Sequence, residues 1–307
     1  MWLHAFTNFV SYNKIRKEAD IHVTASLGFA SLAVDIGLAF NEKARLSAAV
    51  DSAALAGAQE IVENPDNAVA TAKEYLSKNG LDPADAEVKL TDDGNGVSVS
   101  TNKKVKYFLA RVIGKEEGLV GAHAAAKTAP ITAVYSGIRP FAIEQMELEY
   151  GAQYVLKEGG GDGSNGNYGA LALGGNGACK YRSNIINGYN SKLKVGDYVD
   201  TEPGNMSGPT YTGVNTLVNS CSHCPKCTFD NYDPGCPRII TVIIVDSLSI
   251  KGRKSVKIVG FASFFLEGVE GQGNESIVKG RFIKTVTCGE TDDSQADFGL
   301  KGIRLVK

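Results

Sequence analysis

The sequence predicts an α+β protein: a long N-terminal helix with a small α+β domain, followed by an all-β domain built as a sandwich or partly open barrel. Three observations carry this expectation. Residues 20–80 are rich in alanine, the best helix former, and short of glycine. After Gly137 the alanines thin out, and Gly, Asn, Tyr, Val and Ile take over in strand-and-turn patterns. Beyond that point six or more strand-like runs follow without intervening helical patterns, as in a sandwich or barrel. The connector composition at residues 135–140 sets a boundary, so 1–63 reads as an N-terminal segment and long assembly helix, 64–137 as a small α+β domain and 138–307 as a β-rich surface domain.

The long helix is expected from about residue 19 or 20 to Glu63, where Asn64-Pro65 stops it because proline disfavours helix at the preceding residue. Leu46, Val50, Ala53, Ala54, Gly57 and Ile61 recur at helical spacing along it. Asp66 is placed to cap a second helix through Lys78, and Asn79-Gly80 to close it. Residues 87–91 and 97–101 alternate around Asp92-Asp-Gly-Asn-Gly96, which reads as a β-hairpin. A short helix over 107–113 and a strand over 119–129 complete the α+β part. Further strands are expected at 153–156, 169–173, 197–201, 239–248, 255–266 and 277–286. Ile239-Ile-Thr-Val-Ile-Ile-Val245 has the continuous apolar character of a buried strand.

Composition excludes several function classes. With 43% hydrophobic and 21% charged residues the chain is not disordered. Its 32 basic and 34 acidic residues leave a net charge of −2, so no basic field exists to hold nucleic acid. Four histidines offer few acid–base or metal candidates. No G-x-S-x-G, H-E-x-x-H, phosphate-loop or dinucleotide-binding context occurs, and no catalytic residue is assigned. Asp197, Asp200 and Glu202 read as a solvated hairpin rather than an acid pair.

Residues 21–34 and 36–40 are mostly apolar, with Asp35 as the one charge, and Lys14, Arg16 and Lys17 precede them. About twenty apolar residues suffice to span a membrane, and the basic flank would hold the N-terminus in the cytoplasm. His22, Thr24, Ser26 and Ser31 weaken that signal. Three readings stay open: a spanning helix, a helix packed between subunits, and an ordinary core helix.

The same residues carry a resemblance. Gly28-Phe-Ala-Ser-Leu-Ala-Val-Asp-Ile-Gly37, followed by Lys43-Ala-Arg-Leu-Ser-Ala-Ala-Val-Asp-Ser-Ala-Ala-Leu-Ala-Gly-Ala58, is similar to the N-terminal region of Tad (tight adherence) pilus-assembly proteins of the TadE/TadG type. The resemblance implies a surface protein with an N-terminal membrane helix, tied to Flp-type pili and adhesion. It departs at His22, Thr24 and Ser26, where the family is apolar, which leaves room for a helix packed inside a filament. Phe29, Leu32, Val34, Asp35, Gly37, Leu46, Val50, Ala54 and Gly57 are the candidate helix-assembly residues. The second half resembles C-terminal regions attached to Tad-type domains in some Gram-positive surface proteins, through Gly159-Gly-Gly-Asp-Gly163, Asn167-Tyr-Gly-Ala-Leu-Ala-Leu173, Val195-Gly-Asp-Tyr-Val199 and Glu202-Pro-Gly-Asn205.

The cysteines fall at Cys179, Cys221, Cys224, Cys227, Cys236 and Cys288. An even count in a half placed outside the cell favours three disulfides, each worth roughly 2–4 kcal/mol. The alternative is a zinc or iron–sulfur site from Cys221, Cys224, Cys227 and Cys236, with His223 as a further ligand for zinc. Asp162, Asn165 and Asn167 in the glycine-rich stretch are oxygen donors that would suit calcium, though a glycine loop between strands is the simpler reading. No cofactor is therefore expected, with calcium and zinc as the two candidate ions.

The expected function is a non-enzymatic, pilus-associated surface protein, anchored or assembled through its N-terminal helix. The expected partners are copies of itself, other pilus or surface proteins, or the membrane, and no nucleic acid. The alternatives are a repeating subunit of an extracellular filament and a secreted binding or hydrolase domain on a stalk.

Overall fold

The computed structural model describes residues 2–157, 169–202, 204–248, 254–271 and 276–306, with side chains described from residue 32 onward except at 112 and 113. The chain divides into two compact units, one of Met1–Gly57, Ala68–Ala126 and Leu305–Lys307, the other of Ala58–Asn67 and Lys127–Arg304.

Helix α1 runs Trp2–Glu63, beginning well before the expected start and ending where Asn64-Pro65 required. In the first unit it is followed by α2 (Ala68–Lys78), β1 (Ala86–Leu90), β2 (Gly96–Lys106) and the first part of β3 (Glu117–Val134). The hairpin expected from the Asp/Gly turn is present, with β1 and β2 antiparallel and Val88 opposite Val99. The short helix expected near 107–113 is a single 3-10 turn, Ala110–Ile113. Leu46, Val50, Ala53 and Ala54 of α1 are fully buried with Ala68, Ala72 and Leu76 of α2 and Val97 and Val99 of β2. Alanine and glycine at this seam let the helix backbones approach closely. A Cβ on Gly57 would stand 2.9 Å from the Ala68 carbonyl oxygen and 3.0 Å from both Ala72 and Val97.

The division falls at Ala126/Lys127, inside β3, because one long strand contributes its first part to one unit and its last part to the other. Composition changes at Gly137, but the strand that crosses the boundary is itself alanine-rich and hides it.

The second unit contains β4 (Ile138–Glu144), β5 (Gln153–Lys157), β6 (Leu171–Ala172), α3 (Ala178–Asn187), β7 (Leu193–Lys194), β8 (Tyr198–Thr201) and α4 (Ser207–Asn219). It continues with β9 (Ile239–Val245), β10 (Ser255–Glu270), β11 (Ile277–Ile283), β12 (Thr285–Val286), β13 (Glu290–Thr291) and β14 (Leu300–Val306), whose last two residues belong to the first unit. One sheet has the order β4-β9-β10-β11-β5, with β8 also on β10 and β6 on β8. In the other, β3 pairs with β14, β13 and β7, and β12 adds in parallel to β14.

Strand β9, as its apolar run requires, and the middle of β10 (residues 258–266) are buried on both faces. One face of β10 places Ala262, Phe264 and Leu266 in a core with Phe141, Leu156 and Phe282. The other packs Val256, Ile258 and Phe261 against Ile138, Leu171 and Leu300. The unit is β-rich as expected, but not all-β. Tyr181 and Ile185 of α3, with Val214 and Leu217 of α4, belong to the first of these cores. Their spacings of four and three residues put each pair on one helix face.

Candidate functional site

The first candidate is the N-terminal part of α1. Leu32, Ile36 and Phe40 follow i, i+4, i+8 and share one face; Val34 and Leu38 share another. All five are exposed, Ile36 at 58% and Phe40 at 74%. A helix apolar on several faces normally lies buried in protein or lipid. Gly37 adds no bulk, with open space around its Cβ direction. Asp35 alone turns inward, at 2% exposure. Its carboxylate accepts from the backbone N–H groups of Phe108 (2.6 Å), Leu109 (3.0 Å) and Ala110 (2.6 Å), at the start of the 110–113 turn. Burial alone would raise its pKa, but these donors and the nearby Arg111 hold it below the ordinary value. This carboxylate caps an internal turn, as acidic side chains do at helix N-termini.

The candidate assembly residues therefore separate into two groups. Leu32, Val34 and Gly37 face outward, whereas Leu46, Val50, Ala54 and Gly57 are used by the chain's own core. At Gly57 the covering atoms belong to Ala68 and Ala72 of α2 and Val97 of β2. Phe29, His22, Thr24, Ser26 and Ser31 have side chains outside the described residues.

The second candidate lies in the second unit, between α4 and β9. Cys221, Cys227 and Cys236 are buried, and their sulfurs, together with a ring nitrogen of His223, all lie within 4.8 Å of one another. The Cys221 and Cys236 sulfurs are 3.6 Å apart. His223 Nδ1 is 3.6 Å from Cys221 Sγ and 3.3 Å from Cys227 Sγ. His223 Nε2 faces Asp233 Oδ1 at 3.6 Å, and the Gly235 N–H donates to that same oxygen at 2.7 Å. The Asp233 N–H in turn points to Cys227 Sγ at 3.5 Å.

Arg238 fixes this loop to β10. It donates to the carbonyl oxygens of Cys227 (2.7 Å), Leu266 (2.9 Å) and Glu267 (2.9 Å), and its guanidinium sits 4.7 Å over the Phe265 ring. Phe265 and Ile283 form the apolar floor beneath the cysteines, with Phe229 and Tyr232 beside them. Hydrogen bonds from the Cys227 backbone and His223 ring lower the Cys221 pKa to about 6, while burial pushes Cys236 up to about 12. Three soft sulfurs and an imidazole aimed at one point form a ligand set for a soft or borderline cation.

Cys179, Cys224 and Cys288 are exposed, whereas Cys221, Cys227 and Cys236 are buried. Within the Cys221, Cys224, Cys227, Cys236 set, Cys224 stays outside and His223 takes its place. Spacing alone cannot show which side chains of a tight loop turn inward. The expected hairpin acids are tied into backbone geometry: Asp197 accepts from the Lys194 N–H at 2.9 Å, and Glu202 from the Gly177 N–H at 2.7 Å. Asp200 accepts from the Ser255 hydroxyl. The calcium candidates Asp162, Asn165 and Asn167 lie outside the described residues.

Comparison with known proteins bears on the first candidate. No curated protein and no solved structure matches the chain. Residues 23–60 match the family model described as "Putative Flp pilus-assembly TadE/G-like". The match contains the outward apolar residues, the inward Asp35 and the buried alanine seam, so residues 23–60 are similar to the TadE/G-like family of Flp pilus assembly.

Proposed function

We propose that this chain is a non-enzymatic, pilus-associated surface protein of the Tad type, held in place by the N-terminal part of α1. The observation that carries this reading is the exposed, many-sided apolar surface of Leu32, Val34, Ile36, Leu38 and Phe40 inside the matched segment. Such a surface calls for an apolar environment supplied from outside the chain. Asp35, the one charge in the stretch, is satisfied internally, so it does not oppose that burial. The β-rich unit is then the part presented at the surface.

Among the described residues no helix is long and apolar enough to cross a membrane. His22, Thr24 and Ser26 favour a second reading, in which the helix packs among helices of other subunits in a filament. Protein can supply hydrogen-bond partners for such groups, whereas hydrocarbon supplies none.

Immunogold labelling of intact producing cells with antibodies to the β-rich unit tests the proposal. Label on the surface or along pili is expected, regularly spaced if the chain is a filament subunit. Label seen only after permeabilisation would contradict both readings.

A further inference from the structure

We propose that Cys221, His223, Cys227 and Cys236 bind one zinc ion, which closes the loop between α4 and β9 onto the sheet. Tetrahedral zinc, with bonds of about 2.3 Å to sulfur and about 2.0–2.1 Å to nitrogen, places two sulfurs about 3.8 Å apart and a sulfur and nitrogen about 3.5 Å apart. The sulfur pair stands at 3.6 Å and the sulfur–nitrogen pairs at 3.6 and 3.3 Å. A disulfide would need about 2.05 Å. The four ligand atoms lie within 4.8 Å of one another, which leaves room for one ion and none for an iron–sulfur cluster among them.

The surroundings match the ligand set. A metal-bound histidine normally donates its other ring N–H to a carboxylate, which fixes the tautomer. Asp233 Oδ1 stands 3.6 Å from Nε2, just beyond hydrogen-bond length and within reach of one on a small side-chain shift, and the Gly235 N–H holds that oxygen. The Asp233 N–H toward Cys227 stabilises a thiolate. The sulfurs are buried while the His223 side chain is 34% exposed, so an ion has a way in. Four protein ligands leave no open position for substrate, so the role is structural. The zinc holds together a loop whose floor is Phe265 and Ile283.

The test is metal content of the full chain, purified under reducing conditions, loaded with Zn(II) and desalted. One zinc per chain is expected, and the same in Cys224→Ser, whose sulfur lies outside the cluster. Cys227→Ser and His223→Ala should lose it, and Asp233→Asn should keep the stoichiometry but bind about 10–100-fold more weakly. Should Cys227→Ser fail to fold, Co(II) loaded into the unmodified chain supplies an independent readout, with the absorption bands of tetrahedral cobalt–thiolate expected. Reduced chain that retains no zinc, equal loss in Cys224→Ser, or a Cys221–Cys236 disulfide with no metal would overturn the proposal.

Discussion

Stripping zinc from the full chain with a chelator should lower the melting temperature of the β-rich unit by roughly 8–16 °C. The expectation follows from the proposed site. A ligand that binds only the folded state, at a free concentration about a thousand times its dissociation constant, stabilises by about 4.1 kcal/mol. Domains of about 150–250 residues shift by roughly 2–4 °C per kcal/mol. The coupling to the whole unit runs through Arg238, which ties the loop carbonyl of Cys227 to the carbonyls of Leu266 and Glu267 on β10. It also runs through Phe265, fully buried beneath the cysteines. Calorimetry with and without chelator measures the shift. Cys224→Ser should reproduce it in full, and Cys227→Ser should show no further loss on chelation. A chelated chain that melts where the loaded chain does would contradict a structural ion.

Gly57→Ala and Gly37→Ala, two identical changes in one helix, should have opposite signs. Alanine in a helix interior is better than glycine by roughly 0.5–1 kcal/mol. At Gly37 nothing lies within 4 Å of the added Cβ, so that gain should be realised. At Gly57 the Cβ meets a backbone oxygen, Ala68 O, at 2.9 Å, with Ala72 and Val97 at 3.0 Å. A backbone carbonyl in a neighbouring helix cannot turn aside as a long side chain can. Overpacking of this kind costs about 1–3 kcal/mol, which outweighs the propensity gain. Gly57→Ala should therefore lower the melting temperature of the first unit, by roughly 4 °C for each kcal/mol lost, and Gly57→Val should lower it further. Thermal melts of the three variants give the order.

Much of this arrangement is legible in the residues. Asn64-Pro65 marks the end of α1, Asp92–Gly96 the first hairpin, and the apolar run from Ile239 a strand buried on both faces. These are local signals, each set by backbone chemistry within a few residues. What was not legible depends on tertiary packing. Helices α3 and α4 are short and carry Asn, Ser, Thr and Gly, all poor helix formers, so only Tyr181/Ile185 and Val214/Leu217 betray them. Leu46, Val50, Ala54 and Gly57 have the small-residue pattern of an assembly seam, and a partner from the same chain satisfies that pattern equally well. Asp35 looked like an interruption in an apolar helix; only the position of residues 108–110 reveals it as a cap. In the cysteine loop the spacing showed a cluster, but the exclusion of Cys224 and inclusion of His223 rest on side-chain direction.

On the proposed function, the outward apolar residues of α1 dock the chain and do not stabilise it. Ile36→Asp combined with Phe40→Asp tests it most directly, measured in parallel by thermal melting and by distribution between the cell-envelope or pilus fraction and the soluble fraction. Both positions are exposed, and substitutions at such sites usually change stability by no more than about 0.5 kcal/mol. An unchanged melt and loss of the chain from the envelope and pilus fraction are expected. A double variant that melts as before and still fractionates with the envelope or pili would contradict it.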